Sequence, residues 1–400
     1  MIDLSLTEEH KLLQTSVRDF VEREVAPIIS DCDKQQIHAP PLEKMGQLGF
    51  LGVCLPKKYG GAGLDYVALA IVCEELERLD TSLRIPMSVH TGLSSLTIYQ
   101  WGTSEQKAKF LSQQAQGQKI ATFGLTEPDC GSDPAALQTK AVREGDEYIL
   151  NGRKTWISLA DVADHLLVIA RLDQEKRGTK NMGAFIVERT FPGVSTSTIK
   201  HKLGIRAANT GDIVLDDVPV PSENRLGEEG EGFKIAMTAL DNGRFTVAAG
   251  AVGLIRACIE TSVQYAATRK AYNQEIGRFQ LIQEHLADMQ AGYDASQLLV
   301  YKAAWLKNRG ERNSRETSMA KWFATTRALD AANRAIQIHG TYGYSADYPV
   351  ERYWRNARGA VIYEGTNEIQ KLIQGAYIMG YRQDRPLRCE LPPYPPSEAV

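Results

Sequence analysis

At 400 residues the chain exceeds the size at which a single core keeps growing, so two or three domains are expected. Its 43% hydrophobic and 24% charged residues and formal net charge of −3 are those of a soluble globular protein, and the scattered Lys and Arg suggest neither a nucleic-acid surface nor a membrane-binding basic patch. No signal-peptide core, Arg-rich presequence or 18-residue uninterrupted apolar run is seen, so a cytoplasmic location without membrane insertion is expected; six Cys without a CxxC pair and seven His without HExxH indicate neither a disulfide framework nor a zinc site.

Thr7-Glu8-Glu9 reads as an N-cap with an acidic first turn, and Leu13, Val17, Phe20, Val21 and Ile28 continue at helical spacing, interrupted by Pro27. A second helix carries Leu42, Met45, Leu48 and Leu51. The run Pro56–Gly63 then breaks it; this glycine cluster lacks the spacing of a phosphate loop and reads as an interhelix turn. Tyr66 to Leu79, Ser94–Trp101 and Ser104–Gln116 are further helices, so residues 1–120 form an all-α domain.

From Ala121 to 231 short β-rich runs alternate with turn residues, for example Leu166–Ala170 and Ala184–Val187, which predicts a β domain. Asn151-Gly152 predicts a hairpin turn, and Asp173–Gly183 an exposed loop. Helical periodicity returns from Gly232. Three long stripes, through Val247–Val263, Phe279–Ala303 and Ser314–Gly340, predict a bundle over 232–385. Gly250 and Gly253 within the first stripe imply close packing against a neighbour. The proline-rich segment 386–400 is expected to be a loosely held tail.

Near the end stands Val361-Ile362-Tyr363-Glu364-Gly365-Thr366-Asn367. A carboxylate there can occupy a loop before a helix capped by Thr366. Burial in such apolar surroundings raises a carboxylate's pKa toward neutrality, as a general base requires; a surface Glu ahead of a helix is the alternative.

Five other blocks stand out: Phe123-Gly124-Leu125-Thr126-Glu127-Pro128-Asp129-Cys130-Gly131-Ser132-Asp133, Lys154-Thr155-Trp156-Ile157-Ser158, Leu240-Asp241-Asn242-Gly243-Arg244, Arg269 with Gln280, and Gln337-Ile338-His339-Gly340. With the Tyr-Glu-Gly-Thr element, this ordered set resembles the acyl-CoA dehydrogenase family over nearly the whole chain. The resemblance implies an N-terminal helical domain, a middle β-barrel and a C-terminal four-helix bundle, with FAD as cofactor, electron-transfer flavoprotein as electron acceptor, and a homotetramer built as a dimer of dimers. In the family Thr126 and Ser158 would bond the flavin ring, and Trp156 would lie against it. Arg269, Gln280 and Gln337 would hold the pyrophosphate and adenosine across a subunit interface. Phe123, Leu125, Gly340, Thr366 and Glu368 complete the FAD set that the resemblance implies.

On the substrate side it implies Ser132, Asp241, Arg244, Tyr363 and Gly365 around a CoA thioester. Glu364 would remove the α-proton as the β-hydrogen leaves as hydride. Some relatives place the base at the position of Gly243, where glycine has no acid to offer. For Arg269 a solvated helix-end cation stays open, as does a helix–helix salt bridge for Asp241 and Arg244. The sequence departs from the family at Tyr272-Asn273, Thr341 and Asn356.

Arg84 bears on the acyl group. A guanidinium near the acyl end suits an anionic terminus, in which the chain looks like glutaryl-CoA dehydrogenases; glutaryl-, succinyl- and benzylsuccinyl-CoA are candidates. Glu77 is placed to hold this arginine, and a surface Arg paired with Glu77 or Asp80 is the competing reading. Oxidative decarboxylation, desulfination, enoyl-CoA reduction and non-catalytic flavin binding remain alternatives to simple dehydrogenation.

Overall fold

The computed structural model describes residues 5–172 and 178–384. Helix α1 (Glu8–Phe20) begins at Thr7, whose hydroxyl accepts from the His10 N–H, and Glu8 and Glu9 face the positive helix end. A π-helical turn, Val21–Val25, leads to α2 (Ile29–Gln35). Helix α3 (Leu42–Gln47) stops short of the predicted Leu51. Gly49, at φ 78°, reverses the chain there, and the Phe50 N–H closes the end on the Met45 carbonyl. The Pro56–Gly63 run is a turn between helices. α4 (Tyr66–Leu79) is capped by Asp65 and buried along most of its length.

After α5 (Thr81–Pro86) the chain continues through a π-helical stretch, Met87–Ser95, into α6 (Leu96–Trp101). The first domain ends with α7 (Ser104–Ala115), whose start carries a reciprocal Thr103–Gln106 cap.

Strands β1 (Ala121–Gly124), β2 (Lys140–Glu144), β3 (Glu147–Ser158), β4 (His165–Arg171), β5 (Met182–Glu188), β6 (Val194–Thr198), β7 (Thr210–Pro221) and β8 (Arg225–Leu226) form one sheet. Its order is β6-β7-β3-β2-β4-β5-β8, and β1 lies parallel to β4. The predicted hairpin at Asn151-Gly152 is wrong. Those residues lie inside β3, where the register against β7 shifts between Leu150 and Gly152. The local turn chemistry is spent on a bulge: Gly152, at φ 152°, passes against Thr139, and Asn151 bonds Asp217 across the strands. The β2–β3 hairpin instead turns at Gly145-Asp146, with Glu144 facing Glu147 and Gly145 at φ 61°. Of the expected Asp173–Gly183 loop, residues 173–177 lie outside the described residues, while Met182 and Gly183 already belong to β5. The predicted tail, 386–400, also lies outside them.

The C-terminal part is a bundle of α8 (Gly232–Thr268), α9 (Gln280–Asn308) and α10 (Ser314–His339), with α11 (Val350–Ala360) and α12 (Asn367–Ile378) against α10. Helix α8 is long and apolar enough to cross a membrane by length and composition. It is a core helix here, with 72% of its most apolar window buried. Its packing on α4 explains the two glycines. A Cβ at Gly253 would strike the Glu74 backbone carbonyl, and one at Gly250 would strike the Glu77 carboxylate. Thus α8 draws the N-terminal helices against the bundle, and what lies between them is a layer of charge.

Candidate active site

Between α11 and α12 the chain takes two successive left-handed residues, Glu364 at φ 54° and Gly365 at φ 86°. For a glutamate this is a disfavoured backbone, sustained only when the surroundings over-determine it. They do. The Glu364 carbonyl accepts from Arg244 Nε and Gln370 Nε2, both at 3.3 Å. The Gly365 carbonyl accepts from Lys321 Nζ at 2.9 Å and Gln370 Nε2 at 3.0 Å. Thr366 then caps α12 by accepting from the Ile369 N–H.

The strained turn drives the Glu364 carboxylate inward. Oε2 is buried without a hydrogen-bond partner and lies against the bare backbone of Gly243, where a Cβ would stand 3.0 Å from Glu364 Cδ. Burial raises the Glu364 pKa, and the charges of Arg84, Lys321 and Arg244 with the nearby Ser88 hydroxyl oppose but do not cancel that rise.

Arg84 is fully buried, so the surface reading of this residue fails. Its Nε donates to Glu77 Oε2 at 2.7 Å, and Nη1 and Nη2 donate to the Ser88 and Tyr363 hydroxyls, each at 2.6 Å. Asp80 instead pairs with Arg352. The glycine at 250 makes the space that Glu77 and Arg84 fill. Asp241 and Arg244 bond each other within α8, at 3.2 Å, rather than bridging two helices; Asp241 also accepts from Ser314 of α10.

A second group gathers on the sheet. Phe123 and Leu125 are buried at and just beyond β1, beside half-buried Thr126. Buried Lys154 secures that loop by donating to the Leu125 carbonyl and to Glu127. On β3, Trp156 stands at φ 58° in a second bulge with 60% of its surface open, two residues before Ser158. Ser132 is exposed in the loop after β1.

Arg269, Gln280, Gln337 and Gly340 are exposed together where α8 ends, α9 begins and α10 ends, with Arg269 5.9 Å from the Tyr342 ring centre. Among the described residues no hydrogen bond or ring contact joins this group to the other two. Glu368 is exposed in the first turn of α12. Two surface cavities, one of about 250 Å³ around Arg206 and Arg355 and one of about 470 Å³ around Gly46 and Gln116, include none of the three groups.

Sequence reasoning missed Ser88, Thr246, Lys321 and Gln370. Ser88 lies one helical turn after Arg84, and its hydroxyl is 2.6 Å from that of Thr246. Lys321 and Gln370 carry no such local signal. Asn356 gains an explanation. Fully buried, it accepts from the Ile205 N–H at 2.6 Å and donates to Asp80 Oδ2 at 3.1 Å, two opposite roles that an ionised carboxylate cannot fill.

Models of three acyl-CoA dehydrogenase domains match in order: N-terminal over residues 7–118, middle over 122–218 and C-terminal over 230–379. The chain is 42% identical to a short-chain specific acyl-CoA dehydrogenase of Clostridium acetobutylicum, covering 93% of this chain and 98% of that one. It is 43% identical to a 3-(aryl)acrylate reductase of Clostridium sporogenes, covering 93% and 99%. A solved glutaryl-coenzyme A dehydrogenase–glutaryl-CoA complex superposes with a TM-score of 0.91 at 38% identity, covering 95% and 98%.

Proposed function

The chain belongs to the acyl-CoA dehydrogenase family, and from that premise we propose that it abstracts the α-proton of an acyl-CoA thioester with Glu364. The observation that carries this reading is the buried, unpartnered Oε2 of Glu364, held by a strained backbone that four donor contacts maintain. An acceptor without a partner in a dry site is ready for a substrate proton. Its raised pKa lessens the mismatch with a carbon acid.

The residues present fit FAD, the family's cofactor. An indole left open on a sheet suits one face of a planar ring, the Thr126 and Ser158 hydroxyls suit its polar edge, and exposed Arg269, Gln280 and Gln337 suit a pyrophosphate and adenosine. Bound FAD supplies the two-electron acceptor for the β-hydrogen, with electrons passing on to an electron-transfer flavoprotein. Arg244, Asp241, Tyr363 and Gly365 orient the thioester around Glu364, and Ser132 contacts it from the sheet side.

The acyl group ends in an anion, and Arg84 recognises it. Three of its five N–H groups are engaged, by Glu77, Ser88 and Tyr363, which holds the fork rigid; Arg84 has no exposed surface, so a terminal carboxylate reaches the other two only as Tyr363 gives way. Anaerobic mixing with butyryl-, succinyl-, glutaryl- and benzylsuccinyl-CoA, following loss of the visible flavin band, tests this. Faster bleaching by a dicarboxylyl thioester is expected, and Arg84→Ala should erase that preference. A preference that survives the substitution refutes the role of Arg84, and bleaching undiminished in Glu364→Gln refutes the base.

Similarity to an acrylate reductase favours a second reading, enoyl-CoA reduction, in which the same carboxyl delivers a proton. A raised pKa serves it equally, since it favours the acid form of the carboxyl. The exposed apolar side chains Leu281, Leu298, Leu372, Ile378 and Met379 on or just beyond α9 and α12 support a homotetramer, and a cytoplasmic location is consistent with the chemistry.

A further inference from the structure

Lys321 has no assigned part in the site, yet it is the cation behind the base. It lies in the third turn of α10 with no exposed surface. Its Nζ donates to the Gly365 carbonyl at 2.9 Å and to Asn367 Oδ1 at 3.3 Å, and Thr325 braces the same Asn367 oxygen at 3.1 Å. Both direct partners are neutral, and among the described residues no carboxylate forms an ion pair with it.

An ammonium withdrawn from water without a paired anion destabilises a fold. A neutral donor would satisfy the Gly365 carbonyl at lower cost, so hydrogen bonding alone does not account for lysine here. What lysine adds is charge, placed where the two left-handed residues turn Glu364 into the site.

We propose that Lys321 is a positioning residue that holds the Glu364–Gly365 turn and whose charge favours the ionised form of Glu364. The inference rests on Glu364 being the base. The groups facing Lys321 are Glu364 and Glu368, as anions, and Arg244 and Arg84, as cations. Those facing Glu364 are Arg84 from the N-terminal helices, Arg244 from α8, Lys321 from α10 and the Ser88 hydroxyl. Tyr363 and Glu77 lie beyond Arg84. Burial brings the Lys321 pKa down to about 7, so its charge changes near neutrality.

The test is the pH profile of kcat/KM in Lys321→Gln, which removes the charge and keeps a donor, and Lys321→Met, which removes both. Thermal unfolding of each is measured alongside. Loss of the positive charge should move the acid limb to higher pH by roughly half to one unit, an approximately 3- to 10-fold loss on the limb itself that closes on the plateau above it in Lys321→Gln. Lys321→Met should show the same displaced limb and a further loss that does not close. Lys321→Gln should not melt earlier than the parent, because it removes a buried charge and keeps a donor, whereas Lys321→Met also leaves the Asn367 oxygen and the Gly365 carbonyl one donor short.

An acid limb that coincides with the parent's in both variants overturns the proposal, whatever their melting temperatures. So does failure of both to fold, which would make Lys321 structural. Glu364→Gln in the parent background separates this from the underlying reading. If it keeps more than a tenth of the activity, the base assignment fails; if it is inactive and the limb stays put, only the role of Lys321 fails.

Discussion

Gly243→Ala tests the geometry of the base with a single methyl group. The new Cβ would stand 2.7 Å from Leu93 Cδ2 and 3.0 Å from Glu364 Cδ, and nearer still to Oε2. Carbon atoms rest at about 3.5–4.0 Å, so the carboxylate has to withdraw by roughly 0.5–1 Å. A displacement of that size at a reacting group costs on the order of 100-fold in rate. Stability should change little. Alanine gains about 1 kcal/mol of helix propensity over glycine inside α8, against about 1–3 kcal/mol for overpacking. The assay is single-turnover flavin reduction in FAD-loaded protein, with thermal unfolding as the control. Reduction within 3-fold of the parent would refute the close contact between Gly243 and the base. A collapse in melting temperature would show that α8 itself had moved.

Three further outcomes follow from buried polar groups. Glu364→Gln should stabilise the protein at pH 8: the folded-state pKa is raised, so the stability of the neutral acid is present at low pH and lost as pH rises through the folded value. The advantage should be about 1.4 kcal/mol for each unit of elevation and should vanish as pH falls toward the ordinary carboxylate range; chemical denaturation at pH 5 and 8 reads it, and a less stable variant at pH 8 refutes it. Asn356→Asp should destabilise by about 1–3 kcal/mol at pH 8, since its carboxylate would meet that of Asp80 in a fully buried site, with part recovered at pH 5; an unchanged urea midpoint at both pH values contradicts this. Gly250→Ala should dislodge Glu77 and Arg84 together and remove any preference for anionic acyl groups before it affects butyryl-CoA turnover, as steady-state comparison of the two thioesters will show.

Much of the backbone was legible because its signals are local. Thr7 and Thr366 cap helices through N–H groups within three residues of themselves, and Tyr66–Leu79 is helical over the full predicted span. The ordered blocks also led to the family. Reading failed where a local preference met a remote constraint. Asn151-Gly152 has the chemistry of a tight turn, but β7 and Thr139 hold it in a strand bulge. Helix α3 carries apolar residues to Leu51, but Gly49 ends it first.

In the site the sequence pointed to Glu364 and its neighbours by their types and order. That Glu364 Oε2 is dry was decided by packing, since Arg84, Ser88, Arg244 and Lys321 converge on the carboxylate from distant parts of the chain. The same holds for the glycines. A missing side chain at 243 or 250 looks in sequence like a weakness in a helix, and in the fold it is the space that the Glu364 carboxylate and the Glu77–Arg84 pair occupy. Periodicity and caps report energies that act over a few residues. Desolvation and charge depend on what stands opposite, and only the folded chain determines that.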